Sequence, residues 1–156
     1  MNESQRQSHW LKNVRSALEM MRDLPPELVD LGEWSDTVET DIGAAVSWGD
    51  QLTCGGIACL GGWCALWPEF QRQGVYPLPG SGEPWVGAGT LTGSRVARFL
   101  FGDEEMFECA WSKERHDHGD DYSIAMARLT VRERALMALV ADEPVAEALN
   151  EDSGMA

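Results

Sequence analysis

The chain has 156 residues, 44% of them hydrophobic, which suits one domain with its own core and excludes wholesale disorder. Its 26 acidic and 12 basic residues give a net charge of −14, which disfavours direct binding to a nucleic-acid backbone. It contains no run of about 18 apolar residues, which excludes a conventional membrane-spanning helix.

The N-terminal half is predicted to contain two main helices. The first covers residues 9–22, with an apolar face that includes Trp10, Val14 and Leu18 and with Ser8 as N-cap. Leu24-Pro25 breaks the chain, and a short helical piece follows over residues 26–31. Residues 34–50 are ambiguous, with a pattern that permits a short strand at 44–48. The second main helix is buried, begins at Thr53 as its cap and ends at Trp67 before Pro68.

The C-terminal half begins with a Gly- and Pro-rich loop over residues 74–93, in which Trp85-Val86 favours a hairpin. A short helix over 94–101 is predicted to end at Gly102, and 114–121 is predicted to be polar and exposed. Helices are predicted at 122–129 and 131–141, with a capping box at Thr130–Glu133 at the start of the second. Glu143-Pro144 then separates a last short helical segment.

These elements predict a mainly α single domain over residues 1–156, with α+β as the alternative. We expect a small β-hairpin or a long Gly/Pro loop within it, and frayed ends at 1–8 and 150–156.

The most unusual segment runs from Thr53 to Cys64 and holds three cysteines, four glycines and a tryptophan without any charge. Such a composition predicts burial. Small residues at Ala58, Gly61, Gly62 and Ala65 share one side of the predicted helix, where they would let a second backbone pack closely.

The chemistry of the cysteines leaves two alternatives to a structural role. The polar N-terminus lacks a signal peptide, so we expect a cytoplasmic protein with reduced thiols. Cys54 at a helix start could serve as a nucleophile if a histidine acted as base. Zinc could be held by Cys54, Cys59, His116 and His118, although their spacing does not suit the usual paired ligands. We expect buried thiols, no cofactor and no catalytic residue.

The residues Cys54-Gly-Gly-Ile-Ala-Cys-Leu-Gly-Gly-Trp-Cys64 and, later, Ala97–Phe107 resemble a family of small phage, prophage and plasmid proteins. That family carries a Cys-Gly-Thr-x-x-Cys-x-Ala-Gly-[Trp/His]-Ala element, followed by a short Leu-Gly or Leu-Phe helix and an Ala-rich helix. Gly56, Gly61 and Cys64 depart from the pattern, and the loss of the Thr removes any role tied to its hydroxyl. The resemblance implies origin in a mobile element, whose small proteins often inhibit host enzymes or defences.

An acidic series without any Lys or Arg is the main candidate for a contact surface. Its carboxylates have two interpretations. Either they form the solvent-exposed side of short amphipathic segments, or they form a row that imitates nucleic-acid phosphates and occupies a basic groove on a host protein. Trp34 would be an anchor within the series, and Trp85 in the long loop is a second candidate contact, unless it folds back over the core. The predicted partner-binding residues are Glu27, Asp30, Glu33, Trp34, Asp36, Glu39, Asp41 and Trp85.

Together these patterns predict an acidic accessory protein that inhibits or modulates a host protein by binding it. The expected partner presents a basic nucleic-acid-binding surface, while direct contact with nucleic acid or membrane is not expected. The alternatives are a thiol- or zinc-dependent enzyme centred on Cys54 and Cys59, and a virion or assembly component. The oligomeric state stays open.

Overall fold

The computed structural model describes residues 1–32, 34, 47–49, 57–78, 81–87 and 90–155, with side chains as far as residue 141. The described residues are mainly helical, with a small three-stranded antiparallel sheet, which confirms the predicted fold class. No helix in these ranges is both long and apolar enough to cross a bilayer.

The first helix, α1, runs over Glu3–Arg22 and begins earlier than the predicted residue 9. Its N-cap is Asn2 rather than Ser8, because the Asn2 side chain accepts a hydrogen bond from the Gln5 N–H at 2.8 Å and the Gln5 side-chain oxygen accepts one from the Asn2 N–H at 3.0 Å. This capping box orders the residues that were expected to fray, since 3–8 form the first turns of α1.

The short piece after Pro25 is a 3₁₀ turn over Pro26–Leu28, and it leads directly into a bridge to the cysteine-rich segment. Val29 pairs with Ala58 in parallel: the Asp30 N–H donates to the Ala58 carbonyl at 3.0 Å and the Ala58 N–H donates to the Leu28 carbonyl at 3.1 Å. Residues 57–59 are therefore not helical, contrary to the predicted helix from Thr53.

The buried helix in this segment, α2, covers Leu60–Leu66, and every one of its residues is buried. Cys59 is its N-cap, with its Sγ accepting from the Gly62 N–H at 3.4 Å. Pro68 ends this stretch as predicted and opens a further turn, α3, over Pro68–Gln71.

The Gly- and Pro-rich region forms the sheet in the order β1-β2-β3, with strands at Tyr76–Pro77, Pro84–Val86 and Leu91–Thr92. Trp85 lies on the middle strand, opposite Tyr76 on one side and Thr92 on the other. The predicted hairpin through Trp85-Val86 is therefore confirmed, and a third strand joins it.

Helix α4 covers Ser94–Phe101 and ends at Gly102 with φ +75°, as predicted. Its buried residues are Val96, Ala97, Leu100 and Phe101. A 3₁₀ turn over Glu104–Phe107 follows, capped by the Asp103 carboxylate. Helix α5 then covers Ser112–His118 and overlaps the stretch 114–121, which was predicted to be polar and exposed; residues 115–120 are exposed, as predicted.

The last helix, α6, runs without interruption over Asp121–Met155, so the breaks predicted after Leu129 and at Glu143-Pro144 are wrong. The Thr130 hydroxyl, expected to cap a new helix, donates instead to the Met126 carbonyl one turn back, at 2.8 Å. The predicted fraying from residue 150 is likewise not seen in the backbone, which stays helical to Met155.

Helices α1 and α6 pack in opposite directions along one side of the core. The Tyr122 hydroxyl donates to the Met21 carbonyl at 2.8 Å near one end, and Arg15 lies 3.3 Å from Glu133 further along. The core between these helices, α2 and α4 contains aromatic rings in edge-to-face contact, among them Phe101 with Phe70 and with Phe107.

Candidate partner-binding surfaces

The start of the acidic series is attached to the core by hydrogen bonds on both sides of Asp30. Besides the bridge to Ala58, the Leu31 N–H donates to the Asp121 carboxylate at 2.9 Å. The Asp30 carboxylate accepts from the Gly32 N–H at 2.8 Å, which closes a tight turn. Glu27 is exposed and Asp30 is half-buried, and both lie at this anchored surface.

Neither Glu27 nor Asp30 has an ion pair with any Lys or Arg in the described part of the chain. Several acids elsewhere are paired within 4 Å: Glu69, Glu104, Glu114, Asp121 and Glu133. The remaining acids predicted for this surface, Glu33, Asp36, Glu39 and Asp41, lie outside the described residues. The negative charge at the start of the series is therefore not neutralised by the described fold.

Trp34 packs against the glycine pair of α2. A Cβ at Gly62 would overlap the Trp34 carbonyl oxygen, and one at Gly61 would lie 2.6 Å from Cζ3 of the Trp34 ring. The same ring meets Phe107 edge to face, with centroids 6.4 Å apart. The close backbone approach predicted from the glycines is thus found here, and Trp34 is half-buried by it. A role as partner anchor stays a prediction for the exposed part of its ring.

Trp85, the second predicted contact, is half-buried on the middle strand of the sheet. Its indole N–H is buried and has no hydrogen-bond partner in the part of the chain that the structure describes. Trp85 is thus partly withdrawn from solvent, and its part in binding stays a prediction.

The described cysteines differ in their burial. Cys59 and Cys64 are buried, while Cys109 is exposed, and all three are free thiols. Burial raises the pKa of Cys59 to about 12, more than the N–H groups at the start of α2 lower it. Burial likewise raises the pKa of Cys64. Cys59 is thus a poor candidate for a thiolate, although it sits at a helix N-terminus. Cys54 lies outside the described residues.

The two histidines named as weak zinc candidates, His116 and His118, lie exposed on α5. Among the residues with described side chains, no three His, Cys, Asp or Glu groups come together as a metal site requires. His116 and His118 are thus not joined to Cys59 in such a group.

A cationic groove of about 870 Å³ was not predicted from the sequence. It lies between the start of α1 and α4, and the residues that define its chemistry are Arg6, His9, Trp10, Arg95, Arg98 and Phe99. On each helix an Arg is followed by a basic residue three positions later and by an aromatic residue four positions later. This spacing places the three side chains on one face of the helix. That spacing is present in the sequence, but only the fold brings the two rows together.

Arg128 is a second residue whose role the sequence did not indicate. Its guanidinium holds the Glu114 carboxylate at 2.7 and 2.8 Å and donates to the Glu108 and Cys109 carbonyls at 2.6 and 3.0 Å. It also lies over the Trp111 ring, 5.6 Å from its centroid. Arg128 thereby fixes the chain between the 3₁₀ turn and α5.

Comparison of this chain with protein families, curated proteins and solved structures finds no match.

Proposed function

We propose that this protein is an acidic accessory protein of a phage or related mobile element that acts by binding a host protein in the cytoplasm. Binding would inhibit or modulate a partner that presents a basic, nucleic-acid-binding surface, with the carboxylates of the acidic series in the place of phosphates. The contact is between proteins and needs no cofactor.

The observation that carries this proposal is the anchored and uncompensated start of the acidic series. Hydrogen bonds on either side of Asp30 and the packing of Trp34 hold this stretch on the folded body. No described cation neutralises Glu27 or Asp30, and residues 23–71 contain nine acids without a Lys or Arg. Fixed, unpaired charge of one sign attracts an oppositely charged surface and orients it on approach.

The test is capture of host proteins from a nuclease-treated lysate at low and high salt, followed by binding measurements on the purified partner. Because contacts between exposed charges are screened within about 8 Å at physiological ionic strength, we expect affinity to fall steeply with salt. The partner should also lose its nucleic acid when this protein is added, since both would occupy one surface.

The decisive variant reverses Glu27, Glu33 and Asp36 to Lys. It leaves Asp30 in place, because that carboxylate closes the turn at Gly32. The matched control reverses Glu19, Glu105 and Asp117, which are exposed acids without an ion pair to a described residue and give the same net charge. We expect at least a tenfold loss of affinity for the first variant only; equal affinities of the two variants would contradict this surface.

Two other outcomes would replace the proposal. Self-association without a host partner would favour an assembly component. Rapid alkylation of Cys54 in the folded protein, or stoichiometric zinc, would favour the thiol- or metal-dependent enzyme.

A further inference from the structure

We propose that the cationic groove binds a small anion with an aromatic body, of the nucleotide class. This site is separate from the acidic series and would be present whether or not the protein binds a host protein. Three features of the groove carry the inference: its unpaired arginines, its fixed aromatic wall and its size.

The charge of the groove is opposite to that of the protein. Arg6 and Arg95 are exposed, and neither has an ion pair with an acid in the described part of the chain. The third arginine, Arg98, lies 3.6 Å from Glu104 with 74% of its side chain exposed, so this pairing is weak. Arg6 and Arg95, two exposed arginines without an ion pair to a described residue, thus line the same groove. Guanidinium groups bind phosphate and carboxylate through paired hydrogen bonds.

The aromatic wall is held in place by the fold before any ligand arrives. The Trp10 indole N–H donates to the Phe99 carbonyl at 3.2 Å, and Arg132 lies over the Trp10 ring, 5.9 Å from its centroid. Asn13, one turn further along α1, donates to the Leu100 carbonyl at 3.0 Å and so fixes α1 against α4. Phe99 stays 37% exposed at this junction. An exposed ring beside arginines suits a planar, anionic ligand.

The size of the groove decides between a small ligand and a polymer. Its volume of about 870 Å³ falls within the usual range of small-molecule sites, about 300–1,000 Å³. A long nucleic-acid strand would extend past the groove over a protein of net charge −14, where its phosphates are repelled. A mononucleotide or dinucleotide places its few charges beside Arg6, Arg95 and Arg98, with Glu104 as the one acid among the described residues that line the groove.

The experiment is titration calorimetry of the whole chain with ATP, GTP, adenosine, inorganic triphosphate and a 20-nucleotide single strand, without added metal. We expect a nucleotide to bind with a Kd below about 1 mM, and more tightly than adenosine or triphosphate, because the ring and the phosphates each contribute. Absence of nucleotide binding at that concentration, or equal affinity for adenosine, would overturn the proposal. Tighter binding of the 20-nucleotide strand than of the nucleotides would overturn it in favour of a polymer site.

The variant R6Q/R95Q tests the charges, with R22Q/R134Q as the matched control. All four arginines are exposed and form no ion pair with a described residue, so neither variant removes a described structural contact. We expect at least a tenfold loss of nucleotide affinity for R6Q/R95Q and less than a twofold change for the control. Equal losses would show that only the net charge matters and would contradict a built site. The host-protein capture described above should be unchanged in R6Q/R95Q.

Discussion

At the scale of single residues, Gly61 and Gly62 explain why the cysteine-rich segment contains paired glycines. The backbone and ring of Trp34 fill the space that side chains would occupy on that face of α2. The absence of Cβ atoms at these two positions is therefore a packing requirement.

This packing makes Gly62→Ala a sharp test of the structure. The new methyl group would overlap the Trp34 carbonyl and would lie 2.9 Å from the Ala58 Cβ, so backbone must move. We expect the free energy of unfolding to fall by about 1–3 kcal/mol or more, despite the gain in helix propensity. Urea denaturation measures this change. Gly49→Ala is the control, because a Cβ there meets nothing within 4 Å; equal stability of the two variants would contradict the contact.

The ion pair between Glu114 and Arg128 differs from the others in its burial. Only 18% of the Glu114 side chain and 9% of the Arg128 side chain are exposed. Hydrogen bonding to Arg128 holds the pKa of Glu114 below its usual range, even though burial acts in the opposite direction. Removing one partner of this pair therefore costs more than breaking a surface pair, because the other charge is left buried and unpaired.

We expect Glu114→Gln to lower the free energy of unfolding by about 1–3 kcal/mol at neutral pH, because Arg128 loses its counter-charge while still buried. The folded-state pKa of Glu114 lies below the ordinary value of about 4.3, so this contribution is complete above that pH and is lost as pH falls through the folded-state pKa. The difference between wild type and variant should accordingly shrink in acid.

Denaturant titrations between neutral pH and about pH 3 measure that difference. Glu104→Gln serves as the control, since its pair with Arg98 is exposed and should contribute less than about 0.5 kcal/mol at any pH. A gap between wild type and Glu114→Gln that stayed constant through the acid range would contradict the role of the carboxylate charge.

At the scale of elements, the start of α1 depends on a cap that lies outside the apolar pattern of the helix. Asn2 and Gln5 satisfy each other's backbone N–H groups, so the polar turns over residues 3–8 are helical without an apolar face of their own. Apolar periodicity alone placed the start at residue 9, because that is where the buried stripe becomes regular.

The capping box predicts a contrast between two substitutions. Asn2→Ala should lower the free energy of unfolding, or at least of opening of the first turns of α1, by about 1 kcal/mol. Ser8→Ala should change it by less than about 0.5 kcal/mol, because Ser8 is exposed inside the helix. Hydrogen exchange of the amides near the start of α1 measures both effects. A larger effect of Ser8→Ala would contradict the capping box and favour a helix that begins at residue 9.

The elements that were predicted well are those determined by neighbouring residues. Helix α4 and its end at Gly102 follow from a local apolar pattern and a glycine at positive φ. The start of α2 could not be predicted in this way, because Ala58 is held by hydrogen bonds to residues 28 and 30 in a distant part of the chain. The continuity of α6 was missed because Thr130 can either cap a helix or bond back within one, and tertiary packing decides which.

At the scale of the whole molecule, the basic residues are confined to two parts of the chain, whereas acids occur throughout it. Residues 23–71 contain no Lys or Arg, and neither do residues 135–156, so the bases lie in the first helix and in residues 72–134. The acidic series was visible in the sequence because its members are neighbours. The cationic groove was not, because Arg6 and Arg95 meet only after α1 and α4 pack together.

The contact of Trp34 with α2 also bears on how freely this protein can change. The described residues of the stretch 34–58 contact the core at three places: Trp34 on the glycine pair of α2, Trp48 with ring centroids 5.0 and 4.9 Å from those of Trp63 and Trp67, and Ala58 in its bridge to Val29. Doubling the length between two fixed points costs only about 0.6 kcal/mol in loop-closure entropy. By this measure an insertion between Trp34 and Trp48 costs little loop-closure entropy as long as both tryptophans keep their contacts with α2.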